Sequence, residues 1–565
     1  MTLANGWRLC ATAACLTAAC FACGNDSNMR AVGGSGTPSP STPGPTGSGA
    51  TGTSGGGSDA ASGVAPPPAT CNPPIEPEDA SHPTAVVGSG NASSCTEAAL
   101  AGAVSAGGVI TFDCGGPATV ALTHTIDLPI DNDTVLDGGG IITLDGGGVT
   151  RILDFNSPNY RATKTKVTLQ HMTLAHGKAT GTLLAAAPAP CSQGYDLDGS
   201  GAAILVRDGI LHVFDVTFED NHAASPGPDV GGGGIYANGS LEVVVIGSRF
   251  TGNSASNGGA VGLLNSDLTL VNDLFSNNQA TGSGENYIDA TCAVGGGESG
   301  NGGNAGAVGI DGGSDGTVTI CGSTFATNRA GALGGALGRT PDAAPQIMNI
   351  DRTTFDGNSA FTGGGAMYIH NSTLNITAST LSNNTAPGAG GVQSDATTIA
   401  FVNDTFSGNA ATAGLGGAMS LFGDGGTIQN CTFADNHADG GSGLFGAAIA
   451  GNTALTISNT IFSNNTSMDC GAPMACQDGT SPGQSNLQWP KAHRVCTADD
   501  PPCAAGTTFA APLLSALAAN GGPTQTMIPQ AGSPAIGMGT TCPSADQLGV
   551  TRKPAGCTLG AVEVP

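Results

Sequence analysis

Two stretches of the chain bring together side chains that could do chemistry. Residues 178–200 carry Cys191, Tyr195, Asp196 and Asp198, and residues 279–303 carry Glu285, Tyr287, Asp289, Cys292 and Glu298. Carboxylates converging from two loops would suit Ca²⁺, and an Arg or Lys beside them could abstract a proton. The plainer reading is a pair of loops stapled by a disulfide, with solvated acids. Elsewhere bases are few: Arg207, Arg249, Arg329, Arg339 and Arg352, with no acid pair recurring beside them. Arg161, Lys164, Lys166 and Lys178 read as one basic patch, most simply a solvated edge. His176, His222 and His437 occupy similar edge positions and read as isolated surface histidines, while Asp499-Asp500 lies outside the regular part. No Ser-His-Asp arrangement, phosphate loop or zinc spacing is present, and Gly231 to Gly234 are corner residues. No catalytic, cofactor or metal residue is therefore assigned, and Ca²⁺ is retained only for the insertions.

The elements that must position these loops come from one repeated unit: a Gly-Gly-small step, an alternating apolar pair, then Phe-x-x-Asn. It recurs at Phe218/Asn221, Phe250/Asn253, Phe275/Asn278, Phe325/Asn328, Phe355/Asn358, Phe406/Asn409, Phe433/Asn436 and Phe462/Asn465, with Leu381/Asn384 filling the one gap. Successive Asn lie 25 to 50 residues apart, a period that marks an array. Five residues before each ladder residue stands Val213, Val245, Leu270, Ile320, Ile350, Ile376, Phe401, Ile428 or Ile457, and seven before stands another apolar residue, except at Gly426. Apolar residues two apart make a strand with one buried face. Short strands separated by Gly turns at this period specify a single-stranded parallel β-helix. Helical repeats would need a 3.6 period, which is absent. The nine Asn then form an internal file whose amides bond the neighbouring coil, and the Phe stack beside them. Sugar or metal binding by those Asn is the alternative.

Composition agrees. There are 92 Gly among 565 residues, as tight corners require. The formal charge of −26, from 16 Lys+Arg against 42 Asp+Glu, argues against nucleic acid and anionic membranes, and against polyanionic sugars unless Ca²⁺ bridges. Only 10% of residues are charged, which suits a neutral, hydroxyl-rich extracellular face. Seventeen Cys point to an oxidising compartment.

Along the chain, residues 1–23 read as a secretory signal, with an apolar run from Leu9 to Ala22 too short to cross a bilayer. Cys23, before Gly24-Asn25-Asp26-Ser27, resembles a bacterial lipoprotein processing site. Cys20 competes for that role, and release by signal peptidase without a lipid is the alternative. Residues 24–82 are a Gly/Ser/Pro/Thr linker without enough apolar surface to fold, spanning roughly 40 Å as a coil. Residues 83–165 are the N-terminal cap, with a short helix over Cys95 to Ala106 and a Cys95–Cys114 pair. Residues 166–467 are the rungs, 468–505 a Cys-rich excursion (Cys470, Cys476, Cys496, Cys503, Trp489), and 506–565 a closing cap stapled by Cys542 and Cys557.

Thr111-Phe-Asp-Cys-Gly-Gly116 and the Leu-Asp-Gly-Gly-Gly strings at 136–140 and 144–148 resemble the first coils of pectin-lyase-like proteins. Asn520-Gly-Gly-Pro-Thr524, Gly532-Ser-Pro-Ala-Ile536, Asp546-Gln-Leu-Gly549, Arg552 and Gly560-Ala-Val-Glu563 resemble the end of choice-of-anchor Q domain proteins. The rungs resemble polymorphic outer membrane protein repeats, so the resemblance covers residues 95 to 565. Leu548 stands where that pattern usually has Arg, and Val562 where it has an aromatic. The resemblance implies a right-handed parallel β-helix on a bacterial surface. Autotransporter relatives end in a membrane barrel; this sequence ends without alternating aromatic strands, so anchorage falls to Cys23. The resulting expectation is a monomeric, non-catalytic cell-surface scaffold or adhesin-like module that binds a glycan or surface protein. It touches the outer membrane only through its lipid. The alternative is a polysaccharide lyase or glycoside hydrolase with a groove near the insertions.

Overall fold

The computed structural model describes residues 70–180, 199–224, 230–282, 302–312, 316–340, 346–414, 416–423, 425–439, 446–451, 454–468, 472–477, 481–493 and 498–564. Cys23, the signal-like segment and the linker as far as residue 69 lie outside these.

Each rung is four short strands, as in Ile235–Asn238, Glu242–Ile246, Arg249–Thr251 and Ser254–Ala255. The next rung repeats them at Val261–Leu264, Leu268–Val271, Leu274–Ser276 and Gln279–Ala280, paired parallel and in register. The first strands stack into an 11-stranded sheet, the last into an 8-stranded one, and the middle two into a bent 25-stranded sheet. This is a parallel β-solenoid. Helix is confined, among the described residues, to Glu97–Val104 and a 3-10 turn at Ala92–Ser94. Thr96 Oγ1 caps the α-helix by accepting from Ala99 N–H, and Leu100 and Val104 cover the first coil's apolar end.

Side chains two apart point inward because a strand alternates faces. Val245, Leu270, Ile320, Ile350, Ile376, Phe401, Ile428 and Ile457 are register neighbours, all at most 1% exposed. The rings of Phe218, Phe250, Phe275, Phe325 and Phe355 stack with centroids 4.5–4.8 Å apart. Leu381 interrupts the stack, which resumes through Phe406, Phe433 and Phe462. Phe401 sets an additional ring 5.8 Å from Phe406, beside that interruption.

The carboxamides of Asn221, Asn253, Asn278, Asn328, Asn358, Asn384, Asn409 and Asn436 run as one buried file ending at Asn465. Each Nδ2 donates to the Oδ1 of the next Asn and to the carbonyl at the ladder position one rung back. Each Oδ1 accepts a backbone N–H as well, and all these contacts lie between 2.8 and 3.1 Å. An unmet buried amide costs about 1–3 kcal/mol, so a continuous file lets polar groups sit inside without that penalty.

A second internal file was not foreseen from sequence. It uses the residue two before each ladder position. Val216 N–H donates to Ser248 Oγ, Ser248 N–H to Asp273 Oδ1, Asp273 N–H to Ser323 Oγ, and Thr353 N–H to Ser379 Oγ. It continues from Ser379 N–H to Asp404 Oδ1, Cys431 N–H to Thr460 Oγ1 and Thr460 N–H to Asn486 Oδ1. Its residue types vary because any small acceptor fits. Burial pushes the Asp273 and Asp404 carboxyls well above the usual range, and the Cys431 thiol likewise.

The corners explain the composition. One residue before each ladder Asn the backbone is left-handed, at Asp220, Asn277, Thr327, Asn383, Asp435 and Asn464 and at Gly252, Gly357 and Gly408. Three residues before each ladder position it is left-handed again, from Asp215 through Asn272, Arg352, Asn403 and Asn430 to Asn459. Asn, Asp and Gly tolerate that geometry best. The Gly-Gly step has a steric cause: a Cβ on Gly335 would lie 1.9 Å from the Gly365 carbonyl oxygen.

Three boundaries differ from the sequence reading. Residues 70–82, assigned to the linker, lie against the solenoid, because Cys71 is bonded to Cys321 and Ile75 packs on Phe214, Val244, Ile246 and Val271. The excursion 468–505 contains further coil: Asn486–Trp489 pairs with Ile461–Ser463 and then with Thr507–Phe509, Gln488 taking the ladder position. Its Cys476–Cys503 bond lies beside these strands, while Cys470 and Cys496 are outside the described residues. The tail, expected to close the end of the solenoid, instead runs back along its flank. Gln547 Nε2 donates to Ser379 O and Thr380 Oγ1, Asn403 Nδ2 to Ala545 O, Asn430 Nδ2 to Thr558 O and Asn459 Nδ2 to Thr540 O. The other two disulfides in the described residues are Cys95–Cys114 and Cys542–Cys557.

Candidate binding surface

The basic patch separates once folded. Arg161 donates to Asn265 O at the corner between the 11- and 25-stranded sheets, Lys166 pairs with Glu78 of the strap formed by residues 70–82, and the Lys178 backbone pairs with that of His222 at the 8-stranded edge. Arg339 lies inside the solenoid at 1% exposure, in register with Ile310 and Ile369, where it donates to Gly316 O and Gln346. Burial lowers its pKa to about 10. Arg352 holds Asp351 at 2.7 Å and donates to Thr70 O. Neither arginine is placed to take a sugar proton.

The histidines are not isolated. The two Asp-Gly-Gly-Gly strings form matching turns: Asp137 Oδ1 accepts from Gly139 N–H and Asp145 Oδ1 from Gly147 N–H. One rung on, His171 Nδ1 lies 3.3 Å from Asp137 and His176 Nδ1 lies 3.0 Å from Asp145. His171 also reaches Asp215, one rung further on, at 3.8 Å, and His222 lies 4.0 Å from Asp220 and 2.7 Å from Ser254 Oγ. Burial lowers the pKa of His222, opposed by Asp220. Two His–carboxylate sets thus border the outer strip of the first rungs, which also carries Glu219 and Arg249. The repeated Asp-Gly-Gly-Gly strings, with two His five residues apart downstream, were the signal available. At the far end His493 Nε2 lies 3.3 Å from Asp500, both buried, and burial raises the Asp500 pKa.

Both insertions leave the same corner, between the 8- and 11-stranded sheets: one after Lys178, the other after Gln279–Ala280. Their Asp196, Asp198, Glu285, Asp289 and Glu298 lie outside the described residues, and so does any Ca²⁺ set they would form. Among the described residues one group has metal-ligand spacing, Cys71, Cys321 and Asp351. Two of these are joined as a disulfide and the third is held by Arg352, which does not fit a cation.

A different surface is left open. On the outer side of the 25-stranded sheet, one file runs Thr269, Thr319, Asn349, Asn375, Ala400, Thr427, Thr456. Beside it runs Thr317, Ile347, Thr373, Thr398, Gly425, Ala454. None is charged and none is buried. Asn375 Nδ2 donates to Asn349 Oδ1 at 2.8 Å, ordering neighbouring amides. Both files are uncharged over six rungs, a strip roughly 25 Å long that begins after Asp267, the register neighbour of Thr317. It has fixed hydroxyls and carboxamides, on a protein whose overall charge is −26.

No protein-family model and no curated protein sequence matches the chain. Among solved structures, bacteriophage CBA120 tailspike protein 3 is similar in fold, at 12% identity and a TM-score of 0.34. The match covers 66% of this chain and 60% of that one.

Proposed function

We propose that this protein is a non-catalytic scaffold or adhesin-like binding module of a bacterial cell surface, whose ligand is an uncharged, hydroxyl-rich glycan or a surface protein. The observation that carries the reading is the uncharged Thr/Asn strip beside the covered flank. Neutral hydroxyls and amides at fixed spacing offer paired donors and acceptors to sugar hydroxyls. The negative field elsewhere disfavours polyanions. Four disulfides among the described residues fit an oxidising compartment. Secretion, lipidation at Cys23 and the choice-of-anchor Q resemblance belong to the same proposal.

The second reading is a polysaccharide lyase or glycoside hydrolase. It is favoured by the His–carboxylate sets at Asp137/His171/Asp215 and Asp145/His176. A glycan array, paired with an assay for shortened or unsaturated products with and without Ca²⁺, separates the two. The binding reading expects retention of neutral glycans, lost at least tenfold in Asn375→Asp, and no products. Products that disappear in His171→Ala would replace it with the enzyme reading.

A further inference from the structure

The N-terminal strap does more than cover a flank. The solenoid begins at Ala85–Gly88, yet Cys71 is bonded to Cys321, whose strand lies seven pairings further along. At the interstrand spacing that is about 34 Å. The fourteen steps from Cys71 to Ala85 reach at most about 50 Å, so the strap runs back along the flank using about two thirds of its reach. It is fixed most firmly at its far end. Asn272 Oδ1 accepts from Thr70 and Cys71 N–H at 2.9 and 3.0 Å, and its Nδ2 donates to Cys71 O at 2.8 Å. Arg352 Nη1 donates to Thr70 O at 3.0 Å. Gly322 leaves room for the crossing, since a Cβ there would lie 2.2 Å from Thr70 Oγ1.

We infer that this is a mechanical latch. Tension arriving through the residues before Thr70 enters the solenoid at the Cys321 rung, seven rungs in. The covalently closed loop from Cys71 to Cys321 keeps the capping helix and the first rungs out of the load path. The mechanical consequence follows from the fold. A parallel solenoid pulled from its first strand peels one rung at a time, because each rung touches only its neighbours. Pulled through a bond to an interior rung, the stack is loaded across many hydrogen bonds together. The inference rests on the proposed surface role in one respect, that the chain is held from its N-terminal side.

The test pulls the full oxidised chain between handles at its two termini, beside the double variant Cys71→Ser/Cys321→Ser. Wild type is expected to yield first only beyond residue 321, at the force that peels its C-terminal side. It should release none of the contour between residues 71 and 321, about 850 Å at full extension. The variant is expected to yield early, low-force steps of one rung each, beginning at the N-terminal coils. Equal first-rupture forces, with both proteins unfolding first beyond residue 321, would overturn the latch. If the variant does not fold, wild type reduced in its folded state replaces it, with the same two outcomes. Glycan binding measured without load separates a failed latch from a failed binding role.

Discussion

One flank of the solenoid is covered twice, by segments secured in different ways. Over the N-terminal rungs the outward residues before the bend are Phe214, Ile246, Val271 and Cys321, and residues 70–82 cover them with Ile75 and a disulfide. Over the C-terminal rungs the equivalent flank offers Asn403, Thr405, Asn430, Thr432 and Asn459, and the tail meets them through hydrogen bonds. The first strap is short and covalently pinned. The second is long and held by carboxamides and by Ala535 and Leu559 packed with Ile461 and Leu487, with the buried Arg552–Glu563 pair near its end. A covalent pin secures a short segment that could not bury enough surface to stay down. A longer segment can be held by many weaker contacts.

Breaking the pin should give the largest effect. On the chain-entropy account, closing a 250-residue loop contributes about 5 kcal/mol. Cys71→Ser/Cys321→Ser should therefore lower the urea midpoint and expose the N-terminal coils first in hydrogen exchange. An unchanged midpoint would mean that the strap only rests on its apolar neighbours. Next comes Arg552→Ala, which strands Glu563 and should cost roughly 3–5 kcal/mol. Arg552 also donates to Thr558 O, Gly560 O and Asn403 Oδ1, so the tail should become protease-sensitive while residues 70–82 stay protected.

How much of this was legible in the sequence depends on whether a residue type is forced. Phe-x-x-Asn reports the interior because a ring stack and a carboxamide file each accept one residue type. The file of Ser248, Asp273, Ser323, Thr353, Ser379, Asp404, Cys431 and Thr460 went unseen because several small acceptors serve equally. The straps were hidden for another reason. Residues 70–82 look like linker by composition, and only a contact 250 residues away orders them. The His–carboxylate sets join residues more than 30 positions apart, and only the exact rung register brings them together. Arg339, counted among the few bases of the rungs, is withdrawn from chemistry because strand alternation puts it inside, in register with Ile310.

A middle-sized effect would sharpen the comparison between the two covers. Asn272→Ala and Asn459→Ala each remove a carboxamide that bonds a strap's backbone, worth about 1–3 kcal/mol where the strap has no other pin. Asn459→Ala should show that loss outright. Asn272→Ala should show less in the oxidised protein and more after Cys71→Ser, a coupling that a double-mutant cycle measures. Equal losses in both redox states would deny that the bond and the carboxamide hold the same segment.

Beneath both covers the interior should respond identically. Burial raises the pKa of Asp273, under the first strap's half, and of Asp404, under the second's. A carboxyl whose folded pKa is raised favours folding fully below its unfolded pKa near 4. That contribution is lost as pH rises through the folded value, by up to about 1.4 kcal/mol per pH unit. Asp273→Asn and Asp404→Asn should each flatten this fall, gaining stability over wild type as pH increases from 4 to 8. Asn already serves the same file at Asn486, donating to Ile457 O. Melting curves at three pH values check this, and a gain in only one variant would show that the covers reach into the core.

The smallest effect belongs to the most visible ion pair. Lys166 meets Glu78 at the strap's other end, but their side chains are 27% and 38% exposed, where such pairs contribute about 0–1 kcal/mol. The neighbouring Gln170 is 1% exposed. It accepts from Glu78 N–H at 2.9 Å and donates to Glu78 O at 3.0 Å and to Asp137 Oδ2 at 2.8 Å. Lys166→Ala should leave the Glu78 amide protected from exchange and the melting temperature nearly salt-independent, whereas Gln170→Ala should release that amide. If Lys166→Ala releases it instead, charge rather than carboxamide pairing holds this end, and the first cover differs from the second here too.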